Sequence, residues 1–86
     1  MSIEKSACPH YKSIRTTAAP RATLCEVCRV DAPLRVCLEC GHVGCCESSG
    51  SHAKAHAISA KHAVIRQLPI RDASFTWCYE CNDYLR

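Results

Sequence analysis

The stretch Leu34-Arg35-Val36-Cys37-Leu38-Glu39-Cys40-Gly41-His42-Val43-Gly44-Cys45 combines two kinds of signal. Leu34 to Leu38 alternate with the period of a half-buried strand, Gly41 permits a tight turn, and His42 to Cys45 read as a second short strand. The segment therefore predicts a hairpin-like ribbon. The same residues carry Cys37-x-x-Cys40, a spacing that lets two sulfurs of one turn face the same tetrahedral zinc. A ribbon that carries metal ligands points to a fold built on metal.

Working outward, the Ser48-Ser49-Gly50-Ser51 loop leads into His52-Ala53-Lys54-Ala55-His56-Ala57-Ile58, an Ala-rich helical stretch with a serine available as N-cap. His62 to Leu68 returns to strand character before Pro69, and Phe75-Thr76-Trp77-Cys78 reads as a further short strand. Residues 11–24 show neither a helical nor a strand period and read as an irregular connector. The pattern contains no internal repeat and no low-complexity tract. The expected class is α+β, a small zinc-stabilised domain with a short antiparallel sheet and one or two short helices.

Composition says why metal is required. Eighty-six residues make a single domain, 1-86, with its ligand core at 8-81. The 48% hydrophobic content includes nine Cys and eleven Ala; five Ile, five Leu, five Val, one Met and one Phe are left to build a conventional core. Chains this small and this poor in large apolar side chains fold on disulfides or metals. Met1 to Lys5 open no apolar signal segment, and no run reaches the roughly 18 apolar residues of a membrane span. The expected setting is the reducing cytoplasm, where an odd number of cysteines interleaved with five histidines fits metal ligation better than disulfides.

Three Cys-x-x-Cys pairs are present, Cys25/Cys28, Cys37/Cys40 and Cys78/Cys81, and Cys8-Pro9-His10 adds a fourth close pair. Cys45, His52, His56 and His62 follow as single donors. These twelve residues suffice for three tetrahedral sets and leave only His42 and Cys46 over. Spacing alone leaves open whether His52 and His56, four apart on one helical face, share a zinc or serve two.

The order of these pairs, with Gly41-His42-Val43-Gly44-Cys45 after the second and Trp77 immediately before the last, closely resembles the UBP-type zinc finger over residues 8 to 84. The run Gly41 to Ser49 is similar to the short stand-alone bacterial members. This resemblance implies three zinc ions: one held by Cys8, His10, Cys78 and Cys81, a second by Cys25, Cys28, Cys45 and His52, and a third by Cys37, Cys40, His56 and His62. Three Zn²⁺ and eight ligand thiolates reduce the formal +3 to about +1, so the basic character largely disappears.

The resemblance also implies a pocket for the free C-terminal tail of ubiquitin, with Trp77, Tyr79 and Tyr84 as aromatic parts. Glu47 stands where the family carries its carboxylate-binding arginine, so ubiquitin itself is not the expected partner unless another cation, Arg35 or Arg66, takes that part. The leading expectation is a monomeric, non-enzymatic module that binds a protein or peptide through an altered pocket. A ubiquitin-tail binder and a nucleic-acid-associated finger follow as alternatives.

Competing readings leave more unexplained. A two-Cys, two-His finger made of Cys37, Cys40, His52 and His56 strands eight donors, and its helix offers only Lys54 to nucleic acid. The run Trp77-Cys78-Tyr79-Glu80-Cys81 imitates a thioredoxin motif, but only five residues follow it. Twelve donors for three metals leave no open position for catalysis. Cys46 is expected to be an unactivated thiol, since Glu47 beside it disfavours the thiolate, and His42 a turn or hydrogen-bonding residue.

Each structural zinc contributes about 10–16 kcal/mol of apparent binding energy, the scale of a small domain's whole stability. Complete removal of zinc is accordingly expected to collapse the dispersion of the amide resonances, and dispersion that survives chelation would contradict a metal-built fold.

Overall fold

The computed structural model describes residues 2–86, and over them the chain forms a six-stranded sheet with short helices. The ribbon expected from residues 34–45 is present: β2 (Leu34–Cys37) pairs antiparallel with β3 (Val43–Cys45), Val36 opposite Val43. Gly41, at φ +83°, turns the chain between them, and the carbonyl of Ala19 lies 2.5 Å from where a Cβ on Gly41 would stand. The turn therefore accepts only glycine.

On the other side of β2 lies β4 (Val64–Leu68), followed by β5 (Thr76–Cys78) and β6 (Asp83–Leu85), each antiparallel to its neighbour. A two-residue strand, β1 (Ser2–Ile3), adds to β6 in parallel and completes the order β1-β6-β5-β4-β2-β3. Strands this short hold no periodicity to read, which is why β1 and β6 are absent from the sequence expectation.

Alternation along the strands gives the sheet two unlike faces. Val36, Val64, Cys78 and Leu85 lie on one face and pack with Cys8, Leu38 and Ala63 into a buried cluster, against which Ile3, Tyr11 and Ile14 of the N-terminal segment rest. A second cluster of Cys25, Leu34, Val43 and Cys45 sits at the β3 end. Five of these eleven buried positions are cysteine or alanine, in keeping with the composition. Residues 13–24 run without helix or strand, as expected, but Pro9–Lys12 form the one-turn helix α1, with Pro9 at the position that tolerates its missing N–H. The connector is tied to the ribbon by the Ala18 N–H donating to the Leu38 carbonyl and the Arg21 N–H to that of Gly41.

Helix α2 (His52–Ala60) runs two residues beyond the expected end and stops where Lys61 enters the left-handed region at φ 58°. The serine cap is not made: Ser51 occupies the N-cap position but is itself left-handed, at φ 56°, and its side chain bonds no helix N–H. What docks the helix is a smooth face. Ala53 and Ala57, four apart, are buried against the ribbon, and a Cβ on Gly44 would come within 2.5–2.8 Å of the backbone of His52 and Ala53. Backbone cannot move aside as a side-chain tip can. Gly44→Ala is thus expected to destabilise the zinc-loaded protein by about 1–3 kcal/mol, the usual cost of overpacking, measurable as a lowered denaturation midpoint.

Candidate functional site

Among the described residues, three groups of four Cys and His gather their donor atoms, all within 4.8 Å of one another in each group. The first joins Cys8 and His10, at and inside the start of α1, to Cys78 at the end of β5 and Cys81 in the following turn. The second joins the Cys25/Cys28 turn to Cys45 at the end of β3 and His52 at the start of α2. The third joins Cys37, ending β2, and Cys40 to His56 of α2 and His62 just before β4. His52 and His56 therefore serve different groups, which resolves the alternative that spacing left open. All twelve donors implied by the resemblance stand in the sets it implies.

The separations within each group are those of a metal tetrahedron. Zinc bonds of about 2.3 Å to sulfur and 2.0–2.1 Å to nitrogen make edges of about 3.8 Å between sulfurs and about 3.6 Å between sulfur and nitrogen. Cys8 and Cys81 sulfurs are 3.7 Å apart, and those of Cys28 and Cys45 3.8 Å. His10 Nδ1 lies 3.5 Å from both Cys78 and Cys81, His52 Nδ1 3.5 Å from Cys25, His62 Nδ1 3.4 Å from Cys37, and His56 Nε2 3.2 Å from Cys40. Three sulfurs and one nitrogen in the first two groups, and two of each in the third, are donor sets that suit zinc. Three Cys/His groups are thus positioned to bind zinc.

Packing the sulfurs together sets their proton affinities apart. Burial, reinforced by the Cys8 and Cys78 sulfurs, pushes the Cys81 thiol up to about 12, and burial pushes Cys37 up to about 11. Against desolvation, the backbone at Cys28, Val27 and Cys45 holds Cys25 down to about 6, and Tyr11 and His10 help hold Cys8 down to about 7. Supporting contacts surround the donors. His62 turns its other nitrogen toward Glu39, 3.9 Å away and beyond direct hydrogen-bond reach. Glu26, within the Cys25/Cys28 turn, accepts from the Val43 N–H at 2.8 Å and from both prongs of Arg21 at 3.0 Å. Arg21 first, then Val43, holds its carboxyl down to about 2, so the turn stays clipped to β3.

His42 and Cys46 lie outside the groups. His42 is buried, with its pKa lowered by desolvation, and its ring stacks on that of His56, centroids 4.0 Å apart and 4° from parallel. It stands in the turn segment between β2 and β3, one of the two roles expected of it, and the ring stack is its main side-chain contact. Cys46 is half-buried with its sulfur 2.7 Å from the Ser48 hydroxyl. Desolvation opposes ionisation there, but Ser48 and the cation of Arg35 outweigh it and lower the thiol pKa, contrary to the expectation drawn from Glu47.

The face of the sheet opposite the main core holds the expected pocket residues. Ile65 pairs with Trp77, and Trp77 with Tyr84, so these side chains stand in a row across β4, β5 and β6. They line a cavity of about 270 Å³ with Tyr79, Phe75, Arg35 and the Cys46-Glu47-Ser48 turn. Tyr84 meets Trp77 and Phe75 edge-on, at 4.9 and 5.3 Å. Burial raises the Tyr79 phenol, Glu47 adding to the shift and Arg35 opposing it. Of the two alternative cations, Arg35 lines the cavity, its guanidinium 4.8 Å over the Phe75 ring, whereas Arg66 donates to the Arg71 carbonyl instead. Phe75, two positions before Trp77 and so on the same face, joins the lining in addition to the expected residues. A larger apolar groove of about 380 Å³, around Leu34, Leu68 and Ile70, contains none of the expected site residues.

Residues 25–86 match the family described as the Zn-finger in ubiquitin-hydrolases and other proteins. Cys8 and His10 precede that span and join it only in space. Over 86 residues the chain is 30% identical to histone deacetylase 6 of Caenorhabditis elegans, covering 96% of this chain and 9% of that protein. It is 29% identical to ubiquitin carboxyl-terminal hydrolase 14 of Saccharomyces cerevisiae, covering 98% and 12%. The chain thus spans about a tenth of these relatives' length. A solution NMR structure of a Rhodopseudomonas palustris protein superposes with a TM-score of 0.73 at 34% identity, covering 90% of this chain and 78% of that one.

Two outcomes test the groups. Native mass spectrometry is expected to find three zinc ions on wild type, Cys46→Ser and His42→Gln, and fewer on Cys37→Ser or His62→Ala; loss of a metal from Cys46→Ser would mean that Cys45 and Cys46 have exchanged roles. Thiols raised as far as Cys37 and Cys81 hold their protons at neutral pH until a cation displaces them, so zinc uptake releases protons and its apparent affinity rises with pH. Acidification is expected to release zinc, followed with a chromogenic chelator; retention independent of pH would contradict thiolate ligation.

Proposed function

This chain belongs to the family of zinc fingers found in ubiquitin hydrolases and other proteins, and from that membership we propose that it is a non-enzymatic, monomeric module of the cytoplasm that binds a protein or peptide. In this reading Cys8, His10, Cys78 and Cys81 hold one structural zinc, Cys25, Cys28, Cys45 and His52 a second, and Cys37, Cys40, His56 and His62 a third. Four protein donors per metal fill a tetrahedron and leave no position for a water or substrate, the arrangement of structural rather than catalytic zinc. No helix among the described residues is long and apolar enough to cross a membrane.

The observation that carries the reading is the aromatic-walled cavity on the open sheet face. Trp77, Tyr79 and Tyr84 offer rigid, amphipathic contact area of the kind that anchors peptide backbone. At about 270 Å³ it suits a chain end rather than a folded surface. Capture of the ubiquitin tail is a second reading, favoured by the entry of Arg35 into the same cavity, where Glu47 alone offers no cation. Nucleic-acid recognition gains no comparable support, because α2 carries Lys54 as its single lysine or arginine.

Calorimetric titration of the zinc-loaded protein with ubiquitin and with peptides ending in a free carboxylate tests the proposal. Trp77→Ala is expected to weaken any binding about tenfold or more, the usual effect of truncating an aromatic anchor, while keeping three zinc ions. Binding that Trp77→Ala leaves unchanged would move the interaction away from this cavity.

A further inference from the structure

Among the four histidine donors, His56 is the exception. His10, His52 and His62 bring Nδ1 to their groups, whereas His56 faces Cys40 with Nε2, 3.2 Å from the sulfur. Nε2 is the ring nitrogen farther from Cβ, so a given rotation of the side chain displaces it more than it would Nδ1. The helix that carries His56 gives limited support: α2 is nine residues long, and Ser51 at its start is left-handed and makes no side-chain cap. A ligating imidazole is ordinarily oriented by a hydrogen bond from its other nitrogen. Among the described residues the Nδ1 of His56 has no such partner.

What His56 has instead is a flat neighbour. The His42 ring lies on it with centroids 4.0 Å apart and planes 4° from parallel, while His62, a donor of the same group, meets it edge-on at 5.4 Å. His42 is buried and projects from a fixed base. Its carbonyl accepts from the Cys37 N–H at 2.8 Å, the Gly41 carbonyl before it accepts from the Arg21 N–H at 3.1 Å, and the Val43 N–H after it donates to Glu26 at 2.8 Å. Ligation by a metal draws electron density out of the His56 ring, and the face of an aromatic ring attracts an electron-poor group. The metal therefore strengthens the stack.

Resting on the third group's being a zinc site, we propose that His42 is the positioning residue of that centre: it ligates nothing, and its stacked ring holds the His56 imidazole in the plane that presents Nε2 to the metal. The histidine that the donor count leaves over thus has a task in the same centre.

Substitution of zinc by cadmium-113 in the whole chain tests this. The third group has two sulfurs and two nitrogens and the others three and one, so its resonance stands apart from theirs. Wild type should show three resonances, that of the third group coupled to the His56 ring protons flanking Nε2. With metal in excess, His42→Ala is expected to keep three ions but to shift or broaden the third resonance alone. A chromogenic chelator should draw the third zinc from it about tenfold faster or more, the scale on which loss of a ligand-orienting residue acts. His42→Phe keeps a flat ring and removes both nitrogens, so it should restore the resonance and bring release to within about threefold of wild type. Such a rescue separates a stack from a hydrogen bond. If the larger ring prevents loading of three ions, His42→Asn, flat at its amide but ringless, should fall between His42→Ala and wild type in both readouts. An unchanged third resonance and release rate in His42→Ala would overturn the proposal, as would a fully loaded His42→Phe that behaves like His42→Ala. A wild type without the third resonance would overturn the zinc reading of that group as well.

Discussion

Closure of three donor tetrahedra is the constraint from which the rest of this molecule follows. Each group draws together residues far apart in sequence: Cys8 and Cys81 are 73 positions apart, yet their sulfurs lie 3.7 Å from each other. Metal bonds of this kind replace apolar burial as the source of stability. They let Cys8, Cys25, Cys37, Cys45 and Cys78 occupy fully buried positions that a larger domain fills with leucine or phenylalanine. The same sulfurs that close the metal groups are therefore also core side chains.

The position of the groups explains why part of one sheet face stays open. Cys37, Cys45 and Cys78 each end a strand, and His62 stands just before one, so the donors lie at the margins of the sheet rather than across its middle. One face of the sheet is then filled by Val36, Val64, Cys78, Leu85 and the N-terminal segment, while on the other the row runs from buried Ile65 through half-buried Trp77 to exposed Tyr84. Tyr84 remains 47% exposed, too much for a residue whose purpose is core packing. A metal-held sheet leaves part of one face open without losing its own stability.

Electrostatics divides the same way. Beside the donors, the charges of Arg21 and Glu26 are paired with each other. At the cavity, Arg35 and Glu47 both contribute to the lining, with no mutual ion pair among the described residues.

Ligand identity, the β2–β3 ribbon and the α2 helix were legible from residue order, because Cys-x-x-Cys spacing, period-two alternation and an alanine run are local signals that survive without tertiary context. The irregular connector and the absence of a large apolar core were equally plain. The two-residue β1, the left-handed Ser51 that forgoes its cap, and the stack of His42 on His56 were not, since each is fixed by a partner distant in sequence. The division of His52 and His56 between two groups needed the helix placed over the ribbon, which Gly44 and the small Ala53 permit. Arg35 shows the boundary most clearly. Alternation places it on the face opposite Val36, but only the folded sheet, by bringing β4, β5 and the Glu47 turn around it, makes that cation a wall of the aromatic cavity: side-chain direction is a local property, and a pocket is the meeting of several.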